Sequence, residues 1–159
     1  MRKARTEMSP REQAVELLAR REYGRQELAT RLLSRGHEHD EVEALLDELA
    51  EQGLQSDRRF AESFLRGRVL RGQGPVKMLA ELGQRGVDRE LARDALREIE
   101  QEESVDWYQL ATEALERRFG RGPASDPKER ARRERFLAGR GFDFDHVREA
   151  LRAMSEADT

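Results

Sequence analysis

The amino-acid sequence predicts an all-α protein built from three tandem three-helix repeats. The dipeptide Arg-Gly recurs at Arg35-Gly36, Arg85-Gly86 and Arg140-Gly141, each time with a leucine four residues before the glycine. Six, nine, ten and thirteen residues after each glycine, every residue is apolar. These residues are Val42, Leu45, Leu46, Leu49, Ala92, Ala95, Leu96, Ile99, Val147, Ala150, Leu151 and Met154. Such offsets mark one face of an α-helix, so the same helix is predicted after each Arg-Gly step.

Composition limits how this chain can fold. Of its 159 residues, 36% are hydrophobic and 40% are charged, which favours small helical units that pack mainly on their neighbours. Disorder is the alternative, and the helical spacing of the apolar residues argues against it. The absence of cysteine excludes disulfides, thiolate zinc sites and cysteine nucleophiles. No apolar run approaches a membrane span and no signal-peptide core follows the basic start, so a cytoplasmic protein is predicted.

Turn residues between the apolar stripes predict the domain boundaries. The predicted segments are a flexible N-terminus over residues 1–9, repeats over residues 10–55, 56–103 and 104–155, and a flexible tail over residues 156–159. The Arg-Gly glycines lie 50 residues apart in the first interval (36 to 86) and 55 apart in the second (86 to 141). The third repeat is therefore predicted to carry an insertion, in the loop around Gly120–Ser125.

Helix starts are predicted where a capping residue precedes a proline or stands three residues before an acidic residue. Proline is placed at the first helical position in Ser9-Pro10, Gly74-Pro75 and Asp126-Pro127. Ser56 or Asp57 is predicted to cap the first helix of the second repeat. Asp40, with Glu43 three residues later, resembles the capping box of a helix.

Apolar residues with helical spacing are predicted to form the core. In the second helix of the second repeat, Val76, Leu79 and Leu82 are expected to face inward. Five aromatic residues share this spacing with leucine and alanine, namely Phe60, Phe64, Trp107, Phe119 and Phe136. We interpret them as core residues in preference to platforms on which nucleic-acid bases stack.

Charge is distributed unevenly along the chain. Residues 38–51 include seven acidic residues and no lysine or arginine, whereas cations dominate residues 58–77 and 117–140. This asymmetry indicates a partner with patches of both signs, or an anionic partner bound by the second and third repeats. The candidate contact residues are Arg59, Arg66, Arg68, Arg71, Lys77, Arg117, Arg118, Lys128, Arg130, Arg132, Arg133, Arg135 and Arg140. The alternative is a solvated surface whose ion pairs stabilise little.

Two patterns that could indicate a ligand site have simpler interpretations. His37, His39 and Asp40 resemble metal ligands, but consecutive loop positions rarely complete a site, so a role in the loop and helix cap is favoured. Gly72-Gln73-Gly74-Pro75 lacks the Gly-Lys-Ser/Thr ending and the preceding strand of a phosphate-binding loop, which favours a helix stop and restart. No nucleophile, base and orienting group form a recognisable arrangement, so no enzyme, catalytic residue, metal or cofactor is predicted.

Three groups of motifs occur in order along the chain. The first repeat contains Ala14-Val15-Glu16-Leu17-Leu18 and Arg25-Gln26-Glu27-Leu28. The second contains Asp57-Arg58-Arg59-Phe60-Ala61-Glu62, Arg66-Gly67-Arg68 and Gly72-Gln73-Gly74-Pro75. The third contains Asp126-Pro127-Lys128-Glu129-Arg130-Ala131-Arg132-Arg133, Phe136-Leu137 and Arg140-Gly141-Phe142. Over residues 10–152 the chain resembles the RecX family of bacterial regulatory proteins, which modulate the RecA recombinase.

The resemblance implies an elongated, curved, all-helical rod that docks in the groove of the RecA–single-stranded-DNA filament. It also implies inhibition of ATP hydrolysis, strand exchange and filament growth by RecA, with roles in DNA repair, homologous recombination and the SOS response. The expected protein is a monomer without a membrane partner, and its candidate contact residues face RecA or bind single- and double-stranded DNA through phosphate. The alternatives are a nucleic-acid-binding protein that acts without RecA and a general helical scaffold.

Overall fold

A computed structural model describes residues 7–156, which contain nine α-helices and no β-strand. The helices are α1 (Pro10–Arg20), α2 (Arg25–Ser34), α3 (His39–Glu51), α4 (Asp57–Leu70), α5 (Pro75–Gln84), α6 (Arg89–Glu102), α7 (Trp107–Phe119), α8 (Pro127–Gly139) and α9 (Phe144–Glu156). The all-α prediction is confirmed. Most of the predicted flexible ends, at residues 1–6 and 157–159, lies outside the described residues.

The described residues form two compact units. The first unit holds the described residues up to Phe64 together with Leu82–Ala92, and α1, α2 and α3 pack on one another within it. The second unit holds Leu65–Glu81 together with the described residues from Arg93 onward, and α7, α8 and α9 pack on one another within it. Residues of the predicted second repeat belong to both units, and the division into repeats at residues 10–55, 56–103 and 104–155 stays a prediction.

The helix after each Arg-Gly step buries the face that its spacing predicts. All twelve predicted positions on α3, α6 and α9 are buried, and none is more than 8% exposed. The leucines that precede the steps, Leu32, Leu82 and Leu137, are fully buried. Burial of such a side chain contributes about 1.5–3 kcal/mol relative to its exposure to water. The shared register is therefore confirmed residue by residue.

The glycine of each Arg-Gly step ends a helix by turning the backbone into the left-handed region. The φ angles are 91° at Gly36, 84° at Gly86 and 97° at Gly141. A residue with a Cβ atom is strained in this conformation, whereas glycine adopts it readily. The three repeated glycines thus set where the preceding helix stops.

Four of the predicted helix starts are formed as expected. At the start of α4 the Ser56 hydroxyl accepts a hydrogen bond from the backbone N–H of Arg59 at 3.2 Å. The Ser9 hydroxyl accepts a hydrogen bond from the backbone N–H of Glu12 at 3.1 Å. The Asp126 carboxylate accepts one from the backbone N–H of Glu129 at 2.8 Å. Pro75 is the first residue of α5, as the Gly-Pro pair predicts.

The predicted cap of α3 is wrong. The helix begins at His39, and its N-cap residue is Glu38, which makes no capping hydrogen bond through its side chain. Asp40 therefore lies inside the first turn, where a carboxylate interacts favourably with the positive end of the helix dipole. The sequence pattern had predicted Asp40, an acidic residue of the first turn, as the N-cap residue.

One predicted core position on α5 is also wrong. Val76 is 53% exposed, whereas Met78, which the spacing did not single out, is fully buried four residues before Leu82. Residues four apart share a helix face, so the buried face runs through Met78 and Leu82 and excludes Val76. Among the five aromatic residues, Phe60 and Trp107 are buried, and Phe64, Phe119 and Phe136 are half-buried. The indole N–H of Trp107 donates to the Glu100 carboxylate at 2.7 Å.

His146 helps to cap the N-terminus of α9, a role that its sequence context did not indicate. Its backbone N–H donates to the Asp143 carboxylate at 2.9 Å, and the Asp143 backbone N–H donates to Nδ1 of His146 at 3.3 Å. This reciprocal pair acts as a capping box with histidine in the usual place of glutamate. The imidazole is 6% exposed and meets the ring of Tyr108 edge-on, with ring centroids 5.0 Å apart. His146 is therefore a buried structural residue.

Close backbone contact joins the α4–α5 turn to the α8–α9 turn within the second unit. The N–H of Gly74 donates to the carbonyl of Arg140 at 2.8 Å, and the N–H of Val76 donates to the carbonyl of Gly141 at 2.9 Å. A Cβ atom at Gly74 would lie 2.3 Å from the backbone of Gly141, so only glycine fits there. We call these two hydrogen bonds, with Gly72, Gly74 and Gly141, the glycine junction.

The substitution Gly74→Ala is expected to lower the free energy of unfolding by about 1–3 kcal/mol, because the added methyl group overlaps backbone atoms of the facing turn. The matched control is Gly67→Ala in α4, where a Cβ atom would meet nothing within 4 Å. This control is expected to raise the free energy of unfolding by about 0.5–1 kcal/mol, because alanine favours the helix. Urea denaturation followed by circular dichroism measures both variants. Equal stabilities would contradict the close contact at Gly74.

Candidate functional site

Four predicted contact residues meet at the glycine junction. Arg71 follows α4, Lys77 lies in the first turn of α5, Arg117 lies in the last turn of α7 and Arg140 is the C-cap of α8. All four belong to the second unit. We call Arg71, Lys77, Arg117 and Arg140 the junction cations. Residues that are up to 69 positions apart in sequence are thus brought to one place by the glycine junction.

Two guanidinium groups approach each other at Gly72. The Nη2 atom of Arg140 donates to the carbonyl of Arg71 at 2.8 Å. A Cβ atom at Gly72 would lie 3.0 Å from Nη2 of Arg140 and 3.4 Å from Nη2 of Arg117, so both arginines border this residue. In residues 7–156, no carboxylate forms an ion pair with a junction cation. The repulsion between these positive charges would be relieved by a bound anionic group.

Four other predicted contact residues already have carboxylate partners. The ion pairs are Arg59–Glu22 at 3.0 Å, Arg66–Glu102 at 2.8 Å, Arg68–Glu81 at 3.1 Å and Arg130–Glu134 at 3.5 Å. Arg66 and Arg68 lie in the most basic stretch of α4, and the partners of both come from other helices. Sequence spacing did not indicate the pairings of Arg59, Arg66 and Arg68, and these leave less of the α4 charge for a partner. Arg130 and Glu134, in contrast, are four residues apart on α8.

Arg133 does not belong to the exposed basic surface, which corrects its prediction as a contact residue. It is 3% exposed, and its guanidinium donates to the carbonyl of Gly122 at 2.9 Å and to the Glu129 carboxylate at 3.2 Å. The same group lies 5.2 Å from the centroid of the Phe119 ring. Arg133 holds the loop before α8 against the helix, and its charge is paired with a carboxylate of the same chain.

The remaining predicted cations lie on the surface of α7 and α8. They are Arg118, Lys128, Arg132 and Arg135, all exposed. Within the described range none of them forms an ion pair. Together with the junction cations they give the second unit eight cations that no carboxylate of the described chain pairs with. This is the candidate functional surface.

The acidic residues of α3 are partly neutralised within the first unit. Arg25 forms ion pairs with Glu43 at 2.9 Å and Asp47 at 2.7 Å. The hydrogen bond that the Arg25 guanidinium donates to the Glu43 carboxylate raises the pKa of Arg25 above its ordinary value, so this cation stays charged. The acidic stretch that the sequence shows is therefore weaker as a surface than its composition indicates.

The histidines near α3 have ordinary polar neighbours. Nε2 of His37 lies 3.0 Å from Oε1 of Gln13, and Nδ1 of His39 lies 3.7 Å from the Asp40 carboxylate. Among residues 7–156, no three histidine, aspartate or glutamate side chains are grouped as a metal site. In the same range, no helix has the length and apolar character needed to cross a bilayer.

The first turn of α8 is held by Glu129. Its carboxylate accepts hydrogen bonds from the hydroxyl of Ser125 at 2.6 Å and the backbone N–H of Ser125 at 2.7 Å. It also pairs with Arg133 at 3.2 Å. The Ser125 hydroxyl, followed by its backbone N–H and by Arg133, lowers the pKa of Glu129 to about 2. This carboxylate therefore fixes the helix that carries Lys128, Arg132 and Arg135, three of the exposed unpaired cations, together with Arg130.

The fold and the surface define an all-helical protein of three-helix units that presents uncompensated positive charge. Family models for RecX match the chain three times, as the first three-helix domain over residues 11–49, the second over 56–96 and the third over 104–151. The chain belongs to the RecX family of regulatory proteins. The resemblance seen in the sequence motifs is confirmed.

Proteins and a crystal structure of the RecX family are similar to this chain over most of its length. Regulatory protein RecX of Chromohalobacter salexigens is 57% identical over 145 residues, which cover 91% of this chain and 92% of that protein. Regulatory protein RecX of Halorhodospira halophila is 47% identical over 148 residues, which cover 93% of this chain and 89% of that protein. The crystal structure of RecX from Lactobacillus salivarius has a TM-score of 0.74 at 20% identity, covers 91% of this chain and 94% of its own, and shows the same fold.

The substitution Glu129→Gln is expected to destabilise the protein at pH 7 and to lose this effect in acid. The folded pKa of about 2 lies below the ordinary value of 4.5, so the charged carboxylate stabilises the fold above the ordinary value. That stabilisation is lost as the pH falls toward about 2. Urea midpoints of both proteins, measured from pH 7 to pH 2, test this. A difference that stays constant over the range would contradict a role for the carboxylate charge.

Proposed function

We propose that this protein binds the RecA–single-stranded-DNA filament and inhibits ATP hydrolysis, strand exchange and filament growth by RecA. Membership of a family of regulatory proteins supports a regulatory role, and the RecX resemblance implies RecA as the target. The observation that carries the proposal is the set of junction cations, which no carboxylate in the described chain compensates. Such a set suits a partner that presents phosphate or carboxylate groups.

A RecA filament offers both kinds of anion, since it combines protein with DNA. The planar guanidinium of arginine donates two parallel hydrogen bonds to a carboxylate or phosphate, which gives strong and directional contacts. Contacts to DNA phosphate would carry little sequence information. Binding through such contacts weakens as salt concentration rises. We therefore assign the main contacts to the junction cations and to Arg118, Lys128, Arg132 and Arg135.

The cations that are already paired with glutamate contribute less to binding in this proposal. They are Arg59, Arg66, Arg68 and Arg130. Each would have to exchange its glutamate for a group on the partner, so the net gain on binding is smaller. The proposed action is binding alone, without a catalytic step, by a single copy of the chain. Because RecA filaments form on chromosomal DNA, the proposed compartment is the cytoplasm.

The test is the rate of single-stranded-DNA-dependent ATP hydrolysis by RecA from the same organism, with this protein titrated from below to above one copy per RecA. A fall in rate at less than one copy per RecA supports modulation of the filament. An unchanged rate, with filaments visible by electron microscopy and the protein folded by circular dichroism, would refute the proposal.

A second candidate is a protein that binds nucleic acid without RecA, which the unpaired cations of the second unit also favour. Direct binding of labelled single- and double-stranded DNA, measured over a salt series, separates the two candidates. Filament modulation predicts inhibition that requires RecA and exceeds what the affinity for bare DNA explains. Equal affinity for bare DNA and for the filament would favour the second candidate.

The double substitution Arg71→Glu/Arg117→Glu is expected to raise the concentration needed for half-inhibition about tenfold, equivalent to about 1.4 kcal/mol of binding free energy. Both residues are exposed, so folding should be preserved. The matched control is Arg89→Glu/Arg93→Glu on α6, which changes the charge equally at exposed positions outside the candidate surface. The control is expected to stay within about twofold of the wild type, because long-range charge effects are screened by salt. Equal losses in both variants would show that only net charge matters.

A further inference from the structure

An apolar cleft lies between α8 and α9, and the junction cations do not line it. Its volume is about 490 Å³, within the range of about 300–1,000 Å³ found for ligand pockets. Phe142, Val147 and Leu151 line it and are at most 8% exposed. Phe144 also lines the cleft, but its side chain is 76% exposed. An aromatic ring so exposed beside an apolar cleft is costly in water and is typical of a docking surface.

The charged residues of the same cleft are mostly positive. Arg130, Arg135 and Arg148 line it together with a single carboxylate, that of Glu134. Arg130 is paired with Glu134 at 3.5 Å, and Arg148 is paired at 3.0 Å with Asp145, which does not line the cleft. Arg135 is exposed and forms no ion pair in the described part of the chain. Three cations against one anion give the lining a net positive charge.

We propose that this cleft docks a short acidic peptide segment of a partner protein, and that the segment carries a large apolar side chain. The apolar side chain would be buried against Phe142, Val147 and Leu151, next to the Phe144 ring. Carboxylates on either side of it would form charge-assisted hydrogen bonds with Arg135 and Arg148. Charge complementarity selects acidic peptides, because a basic segment would be repelled by the net positive lining and a neutral one would leave Arg135 without a carboxylate partner.

A nucleic acid fits the cleft less well than such a peptide. Base stacking on Phe144 is limited to one face of the ring, because the guanidinium of Arg148 lies 5.4 Å from the ring centroid and covers the other face. The buried part of the lining is aliphatic and aromatic, which suits the side chain of a peptide and offers a base no hydrogen bonds. The cleft shares Arg135 with the surface assigned to the filament, but none of the junction cations lines it. The proposal therefore does not rest on the proposed filament function.

The experiment uses the full chain and a fluorescein-labelled peptide in which a central Phe-Leu pair is flanked on both sides by aspartate and glutamate. Fluorescence anisotropy is recorded without RecA or DNA. Saturable binding is expected, and Phe144→Ser and Arg135→Glu should each weaken it about tenfold or more. Matched controls are Leu70→Ser, at an 89% exposed residue outside the cleft, and Arg132→Glu, at an exposed residue of α8 that does not line it. Both controls should stay within about twofold of the wild type, as surface substitutions usually do.

Four outcomes would overturn the proposal. The wild type could bind no acidic peptide, or it could bind equally well a peptide with serine in place of the central pair. Labelled oligothymidylate could bind with the same dependence on Phe144 and Arg135, which would make the cleft a nucleic-acid site. Sedimentation could show self-association that Phe144→Ser abolishes, which would make a second copy of the chain the occupant. Because the assay lacks RecA, its failure is distinct from a failure of filament inhibition.

Discussion

A shortage of apolar residues is the constraint on which the rest of the structure depends. With 36% hydrophobic and 40% charged residues, each helix can bury only one narrow face. On α3, α6 and α9 that face consists of the same four positions counted from a preceding glycine. A shift of one residue would rotate each helix by about 100° and turn its buried side chains outward. The Arg-Gly step therefore governs the core, because it fixes where one helix stops and the next begins.

The glycine junction connects this core to the candidate functional surface. Residues without a Cβ atom allow two turns of the second unit to touch, and the contact gathers cations from four stretches of the chain. Arg140 has a structural task there, since it donates to the carbonyl of Arg71 just after the end of α4, where backbone carbonyls lack helical partners. Arg117 borders the same glycine without an ion pair in the described chain. Tight packing and an accessible positive charge are thus produced by one local arrangement.

Features that depend on residues a few positions away could be predicted from the sequence. Contacts between residues far apart in the sequence could not. The register of α3, α6 and α9 and the caps at Ser9 and Asp126 depend on neighbours a few residues away, and these predictions are confirmed. The burial of Arg133 depends on Gly122, eleven residues before it, and the pairing of Arg66 depends on Glu102, 36 residues after it. Composition marked both arginines as surface cations. The apolar cleft was missed because only packed helices reveal which apolar side chains stay open to solvent.

Trp107 gives the second unit its own optical signal. It is the single tryptophan of the chain, it is 7% exposed, and its indole N–H is bonded to a carboxylate. Its emission will shift to longer wavelength when water reaches the ring, and this reports unfolding of the unit that holds it. Far-ultraviolet circular dichroism samples helices of both units. Overlay of the two unfolding curves will therefore show whether the units melt in one cooperative transition or in two, without any label on the protein.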